Sequence, residues 1–254
     1  MAFQLDLVKD AALSAVVAVG DYVAKSQDHI GELKMKGVKN PQTDIDVQAE
    51  VMLRQKLSAI LPGAGFIVEE GETIKSAQYN WVIDPIDGTK FFSTHYPVYF
   101  TQIALMEADA VIFAAIYTPV SKQLFWAGKG MGAFLNSQKM TVHYDGPLAQ
   151  SLVGLEIGKL PANGPHIAFA QKIASGVNRL MMVSTLLAPY LLTNTIQAYI
   201  RYYNGPNHLY DIAPRFLLHE EAGAVVRHHL LNGYDLYICA HPNLAQEIEE
   251  FLSV

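Results

Sequence analysis

The most informative stretch of this 254-residue chain is Trp81-Val82-Ile83-Asp84-Pro85-Ile86-Asp87-Gly88-Thr89-Lys90. Three apolar residues bring a buried strand to Asp84, and Pro85 biases Asp84 towards extended backbone while ending ladder pairing. Asp84 is therefore expected to project from a strand end. Asp87 returns three residues later through a turn, and Gly88 lets the backbone take a positive φ or approach a ligand closely. Two carboxylates then face one point, and the Gly88 and Thr89 amides are placed to meet an anion such as a phosphate. Asp-Pro and Asp-Gly alone are ordinary turn chemistry. A solvated turn needs neither a buried apolar lead-in nor a hydroxyl directly after its glycine.

Other acidic residues could join this pair. Glu69-Glu70 closes the apolar run Phe66-Ile67-Val68, and strand alternation sends the two side chains to opposite faces, so they can have different tasks. The strands of Glu69 and Asp84 could lie side by side. Asp46 sits in Thr43-Asp44-Ile45-Asp46, a capping box before a helical run, and a second role can coexist with the cap. Asp211, in Leu209-Tyr210-Asp211-Ile212-Ala213-Pro214, reads locally as a helix N-cap.

These residues need elements to hold them. Leu5, Val8, Ala12, Ala15, Val16, Val19 and Val23 recur at three- and four-residue steps, which predicts one amphipathic helix. A second helix is expected from Asp44 to Leu61, closed by Pro62-Gly63, and polar Lys34 to Asn40 between the two reads as a mobile loop. Short β-rich runs follow: 66–69, 81–84, 99–106, 110–117, 123–127 and 133–135, expected to pair in succession as an antiparallel meander. The glycines and prolines between Tyr144 and Pro165 mark a subdomain boundary, giving an N-terminal α+β unit over 1–145 and a C-terminal unit over 146–254. In the second unit we read helices near 167–175, 186–195, 211–222 and 244–252, and strands at 198–203, 224–229 and 236–240. Helices and strands come in separate blocks, which favours layered α+β over a repeating βαβ unit.

Composition narrows the functions available. The formal charge of -6 opposes attraction to nucleic-acid phosphates and anionic lipid. A single cysteine, Cys239, excludes intramolecular disulfides and thiolate zinc clusters and fits a reducing, cytoplasmic setting. The apolar run from Ala11 to Val19 is too short to span a bilayer, and its acidic leader does not suit a secretory signal. No pairing of the nine histidines has zinc spacing; adjacent His228 and His229 would point to opposite strand faces.

Taken in order, Thr43-x-x-Asp46, Phe66-Ile67-Val68-Glu69-Glu70, Asp84-Pro85-Ile86-Asp87-Gly88-Thr89 and Tyr210-Asp211-Ile212-Ala213 resemble the inositol monophosphatase family over nearly the whole chain. That family comprises magnesium-dependent, lithium-sensitive phosphatases, including ones for histidinol phosphate, fructose 1,6-bisphosphate and 3'-phosphoadenosine nucleotides. The resemblance implies a layered αβαβα sandwich, a homodimer and two or three Mg²⁺ ions per site. It places Glu69, Asp84 and the Ile86 carbonyl on a first ion, and Asp84, Asp87 and Asp211 on a second. Glu70 would act through water, and Asp46 with Thr89 would orient the attacking water. Gly88 and Thr89 would contact the phosphate, and Lys36 lies close to the position of a loop lysine.

The substrate half departs from the family pattern. Val183-Ser184 stands where Gly-Ser is expected, the segment before Tyr202 lacks a glycine pair, Asn204 takes the position of a substrate-binding glutamate, and Tyr210 replaces a tryptophan. An inositol-1-phosphate-like substrate comes first, with histidinol-phosphate, bisphosphate-nucleotide and fructose-bisphosphate hydrolysis, or a catalytically weak metal-responsive binding protein, as alternatives. Physical chemistry agrees with a metal. Two like charges about 4 Å apart repel by roughly 4 kcal/mol at an effective dielectric near 20. Four converging carboxylates therefore need cations or protons, and an all-oxygen ligand set suits Mg²⁺.

Overall fold

The computed structural model describes residues 5–31, 34–37, 40–144, 146–157, 164–182, 185–204 and 208–254, with the backbone alone at 34–37, 40, 41 and 185. The first helix, α1 (Asp6–Ser26), buries Val8, Ala12, Ala15, Val16, Val19 and Val23, the stripe its periodicity predicts. A two-stranded ladder, β1 (Lys34–Gly37) with β2 (Asn40–Gln42), then leads to α2 (Asp44–Ile60). The loop expected over 34–40 is thus an antiparallel pair in its described residues: its polar composition hid a ladder that satisfies backbone groups locally.

The first sheet has seven strands in sequential order: β3 (Gly65–Val68), β4 (Tyr79–Asp87), β5 (Phe100–Glu107), β6 (Ala110–Thr118), β7 (Gln123–Gly128), β8 (Gly132–Leu135) and β9 (Gln138–Met140). From β4 onward the expected meander holds, but β3 runs parallel to β4, pairing Phe66 with Trp81 and Val68 with Ile83. The ten residues between these two strands are enough to return the chain to the same sheet end, which a tight hairpin cannot do. A short helix, α3 (Thr89–Ser93), follows β4.

The second sheet combines β10 (Leu152–Ile157), β11 (Arg179–Met182), β12 (Ala198–Tyr203), β13 (Val225–Leu231) and β14 (Tyr234–Ala240) in the order β11-β10-β12-β14-β13. Helices α4 (His166–Gly176), α5 (Leu209–Glu221) and α6 (Pro242–Leu252) accompany it. The expected boundary stretch therefore contains an interior strand, β10. Gly154 is there for close packing, since a Cβ would lie 3.1 Å from the Ile196 side chain. The helix expected over 186–195 is a 3₁₀ segment, Thr185–Leu191, with Pro189 inside it.

The layers follow from who shares a core. α1 and α2 cover one face of the first sheet through Val16, Leu53, Trp81 and Ile83. α5 and the 3₁₀ segment fill the space between the sheets, against Val82, Ala104, Tyr199 and Cys239. α4 and α6 close the outer face of the second sheet. This is the αβαβα sandwich expected from the resemblance. Among the described residues, no helix is long and apolar enough to cross a membrane.

Candidate active site

The site forms where the C-terminal ends of β3 and β4 meet the N-terminus of α5. In β4, Trp81 and Ile83 face α1 and α2, while Val82 faces the middle layer. Alternation puts Asp84 on the Val82 face, towards α5. Asp84 is only 2% exposed. Burial first, then the charges of Glu69, Asp87 and Asp211, hold its carboxyl well above the usual carboxylate range. Its Oδ2 accepts a 3.0 Å hydrogen bond from Gln102 Nε2, and its Oδ1 is buried with no hydrogen-bond partner. The strand does not end at Asp84 as expected; it continues to Asp87 with a register irregularity between the two. Pro85 donates nothing to the ladder there, and Thr101 Oγ1 donates to the Pro85 carbonyl at 2.9 Å.

Glu69 and Glu70 follow the end of β3 in a bend, so strand alternation does not reach them, and both charges act on the Tyr210 hydroxyl. Glu69 is one of the charges that Asp84 and the Tyr210 hydroxyl meet. Glu70 turns towards α2: its N–H donates to Glu50 Oε2 at 2.8 Å, and its Oε2 accepts from Gln42 Nε2. Asp46 serves two partners. Its Oδ2 accepts from the Thr43 N–H at 2.8 Å and from the Thr43 hydroxyl, completing the capping box of α2. Its Oδ1 accepts from Thr89 Oγ1 at 2.9 Å, and that hydroxyl also lies 3.0 Å from the Ile86 carbonyl. Gly88 heads α3 at φ 93°, a conformation other residues resist, and a Cβ would press the Leu186 side chain at 3.3 Å.

Asp211 is not the N-cap that its local sequence suggests: α5 starts at Leu209, with His208 as cap, so Asp211 lies in the first turn. Burial pushes its carboxyl up to about 6, with the Arg215 guanidinium pulling down and Asp87 pushing up. Pro214 lies inside the helix, and having no N–H it leaves the Tyr210 carbonyl without its helical donor. Gln102 Nε2 takes that place at 3.0 Å, so one amide ties Asp84 to the residue beside Asp211.

Asn204 is exposed at the end of β12, one residue past Tyr203, whose hydroxyl faces Asp211. Lys36 is on β1 at its register irregularity, and its side chain lies outside the described residues, as do Val183 and Ser184. Gln102, Glu50 and Arg215 were not singled out by the sequence reading. Arg215 is 1% exposed and pairs through Nη2 with Asp87 Oδ2. As they stand, no three His, Cys, Asp or Glu side chains among the described residues close on one point.

Fold and site are those of a two-sheet sandwich with an acidic centre, and comparison with known proteins makes it a phosphoric monoester hydrolase. The chain belongs to the inositol monophosphatase family, whose model matches residues 4–245. It is 28% identical to an inositol monophosphatase of Dictyostelium discoideum, over 98% of this chain and 96% of that protein. It is also 28% identical to the Nus factor SuhB of Vibrio cholerae, over 85% of this chain and 82% of that one. A crystal structure of the extragenic suppressor protein suhB from Bartonella henselae superposes with a TM-score of 0.87 at 22% identity, covering 96% of this chain and 98% of that one.

Proposed function

We propose that this chain is a Mg²⁺-dependent phosphomonoesterase that hydrolyses a small phosphate ester by direct attack of water, with an inositol-1-phosphate-like compound as the first candidate substrate. The observation that carries this reading is Asp84: a buried carboxyl facing three other acidic side chains, with one oxygen left without a hydrogen-bond partner. The oxygen-only donor set fits Mg²⁺. Glu69, Asp84 and the Ile86 carbonyl would hold a first ion, and Asp84, Asp87 and Asp211 border a second cationic position. A divalent ion bound there supplies Lewis acidity towards water and phosphate oxygens.

The chain's own groups do the positioning. Thr89 Oγ1 donates a hydrogen bond to Asp46 Oδ1, with the Ile86 carbonyl as a second acceptor in reach, which leaves a lone pair to accept from an incoming water. Asp46, anchored by the cap of α2, then receives the proton through Thr89. Gly88 and Thr89 N–H groups sit at a helix start, where amides have no intrahelical acceptor and face the phosphate. Glu70 positions a water at the edge of the site. Residues 1–145 would supply most of these groups, Lys36 among them, while 146–254 would supply Asp211 and the substrate contacts, among them Asn204. A cytoplasmic homodimer belongs to the same reading.

Phosphate release from inositol, histidinol, nucleotide and sugar phosphates with MgCl₂ tests it. Turnover of at least one ester is expected, and its loss in Asp84→Asn while the variant still melts cooperatively; retained turnover in that variant would overturn the assignment. A second reading, a weak enzyme that binds another macromolecule, has support in the changed substrate half and in the likeness to a protein named a Nus factor. Failure of every ester would favour it.

A further inference from the structure

Arg215 stands four residues after Asp211 on α5, so both side chains share one helix face. Burying a bare guanidinium away from water is strongly unfavourable, so a residue this enclosed must have anionic partners. Its Nη2 bonds Asp87 Oδ2, and its charge also faces Tyr199, Asp211 and Glu156. Glu156 already has a cation of its own, since buried Arg201 donates to it from Nε at 3.2 Å, and the Tyr199 hydroxyl donates to the same oxygen. The charge of Arg215 is therefore left mainly to Asp87 and Asp211. Those are two of the three carboxylates around the second cationic position.

A guanidinium cannot shed its proton to make room. A divalent ion beside it would be repelled about twice as strongly as a unit charge at the same distance. Asp87 would have to offset that repulsion with a carboxylate already paired to the guanidinium, and Asp211 with one that already faces it. We infer that Arg215 is the second cation of this site: it takes the place of a second divalent ion at Asp87 and Asp211, so that each chain binds one divalent ion, at Glu69, Asp84 and the Ile86 carbonyl. The inference rests on the metal-dependent reading above and specifies its metal content.

The test counts bound Mn²⁺, a spectroscopically visible divalent probe, from the free-ion EPR signal on titrating the full chain. One ion per chain is expected in the wild type and in Arg215→Lys, and two in Arg215→Met. Two ions in the wild type, or one in a folded Arg215→Met, would overturn the inference and leave the metal-dependent reading standing. No bound ion in the wild type would overturn that reading itself. If Arg215→Met does not melt cooperatively, the wild-type count decides alone: one bound Mn²⁺ per chain upholds the inference and two overturn it.

Discussion

Thr89 shows how much a single side chain can join. Its hydroxyl reaches both Asp46, held by the cap of α2, and the carbonyl of Ile86 at the end of β4. It therefore couples the group proposed to take a proton to the backbone proposed to hold an ion. Thr89→Ala should lower kcat on the order of 10²-fold or more, the usual contribution of a positioned proton relay, while Thr89→Ser should keep most of the rate. Steady-state phosphate release separates the two, and equal losses would mean that the methyl group rather than the hydroxyl matters. Asp84, Asp87 and Glu69 were legible in the sequence as acidic residues near strand ends, and Asp211 as one at a helix start. Their partners were less so. Gln102 left one trace, a polar pair with Thr101 inside an apolar run, and both are fully buried. Arg215 left another, the Asp211-x-x-x-Arg215 spacing on a helix, which by itself reads as an ordinary surface pair.

Elements place these residues through close backbone approach. Gly65 begins β3, and a Cβ there would lie 2.3 Å from the Ser76 N–H nitrogen and 2.6 Å from the Ile74 carbonyl, contacts that backbone cannot yield easily. Gly65→Ala should cost about 1–3 kcal/mol, the usual penalty of overpacking, and should displace Glu69 from Asp84, because β3 and β4 share one register. Chemical denaturation together with kcat reads both effects; an unchanged midpoint would mean that the 69–77 segment moves freely aside. The apolar lead-in explains why β4 tolerates its acidic end. Trp81, Val82 and Ile83 are fully buried, each contributing about 1.5–3 kcal/mol, which offsets repulsion of roughly 4 kcal/mol between close carboxylates. Periodicity revealed the helices and most strands of this layer. It did not reveal β10, whose glycine resembles a break, nor the parallel pairing of β3 with β4, since direction depends on the connection and not on the strand's own pattern.

The whole molecule brings Asp211 to Asp84 only when the middle layer is packed, because α5 touches both sheets. His219 lies at the centre of that layer, fully buried, with Nε2 2.8 Å from the Ala188 carbonyl. Burial pushes its imidazole down to about 4, with Arg215 adding to the effect and the Ala188 carbonyl opposing it. The unfolded chain therefore binds more protons between about pH 6.5 and 4. Stability from this group is present above 6.5 and drains as pH falls towards 4, by about 3 kcal/mol. His219→Gln keeps a donor for Ala188 and should flatten the wild-type loss by that amount in urea titrations; an identical pH slope would place the acid sensitivity elsewhere. The most direct measurement of the central claim is the melting temperature of the metal-free chain with added MgCl₂, at pH 7.5 and pH 5, for wild type and Asp84→Asn. Because burial and its acidic neighbours favour a proton on Asp84, the ion competes with that proton at pH 5 and less so at 7.5. A saturable gain at pH 7.5, about 2.7 kcal/mol at 100 times Kd, is expected in the wild type, smaller at pH 5 and absent in Asp84→Asn; an unchanged wild-type melt at pH 7.5, or an equal gain in the variant, would contradict a metal held at Asp84.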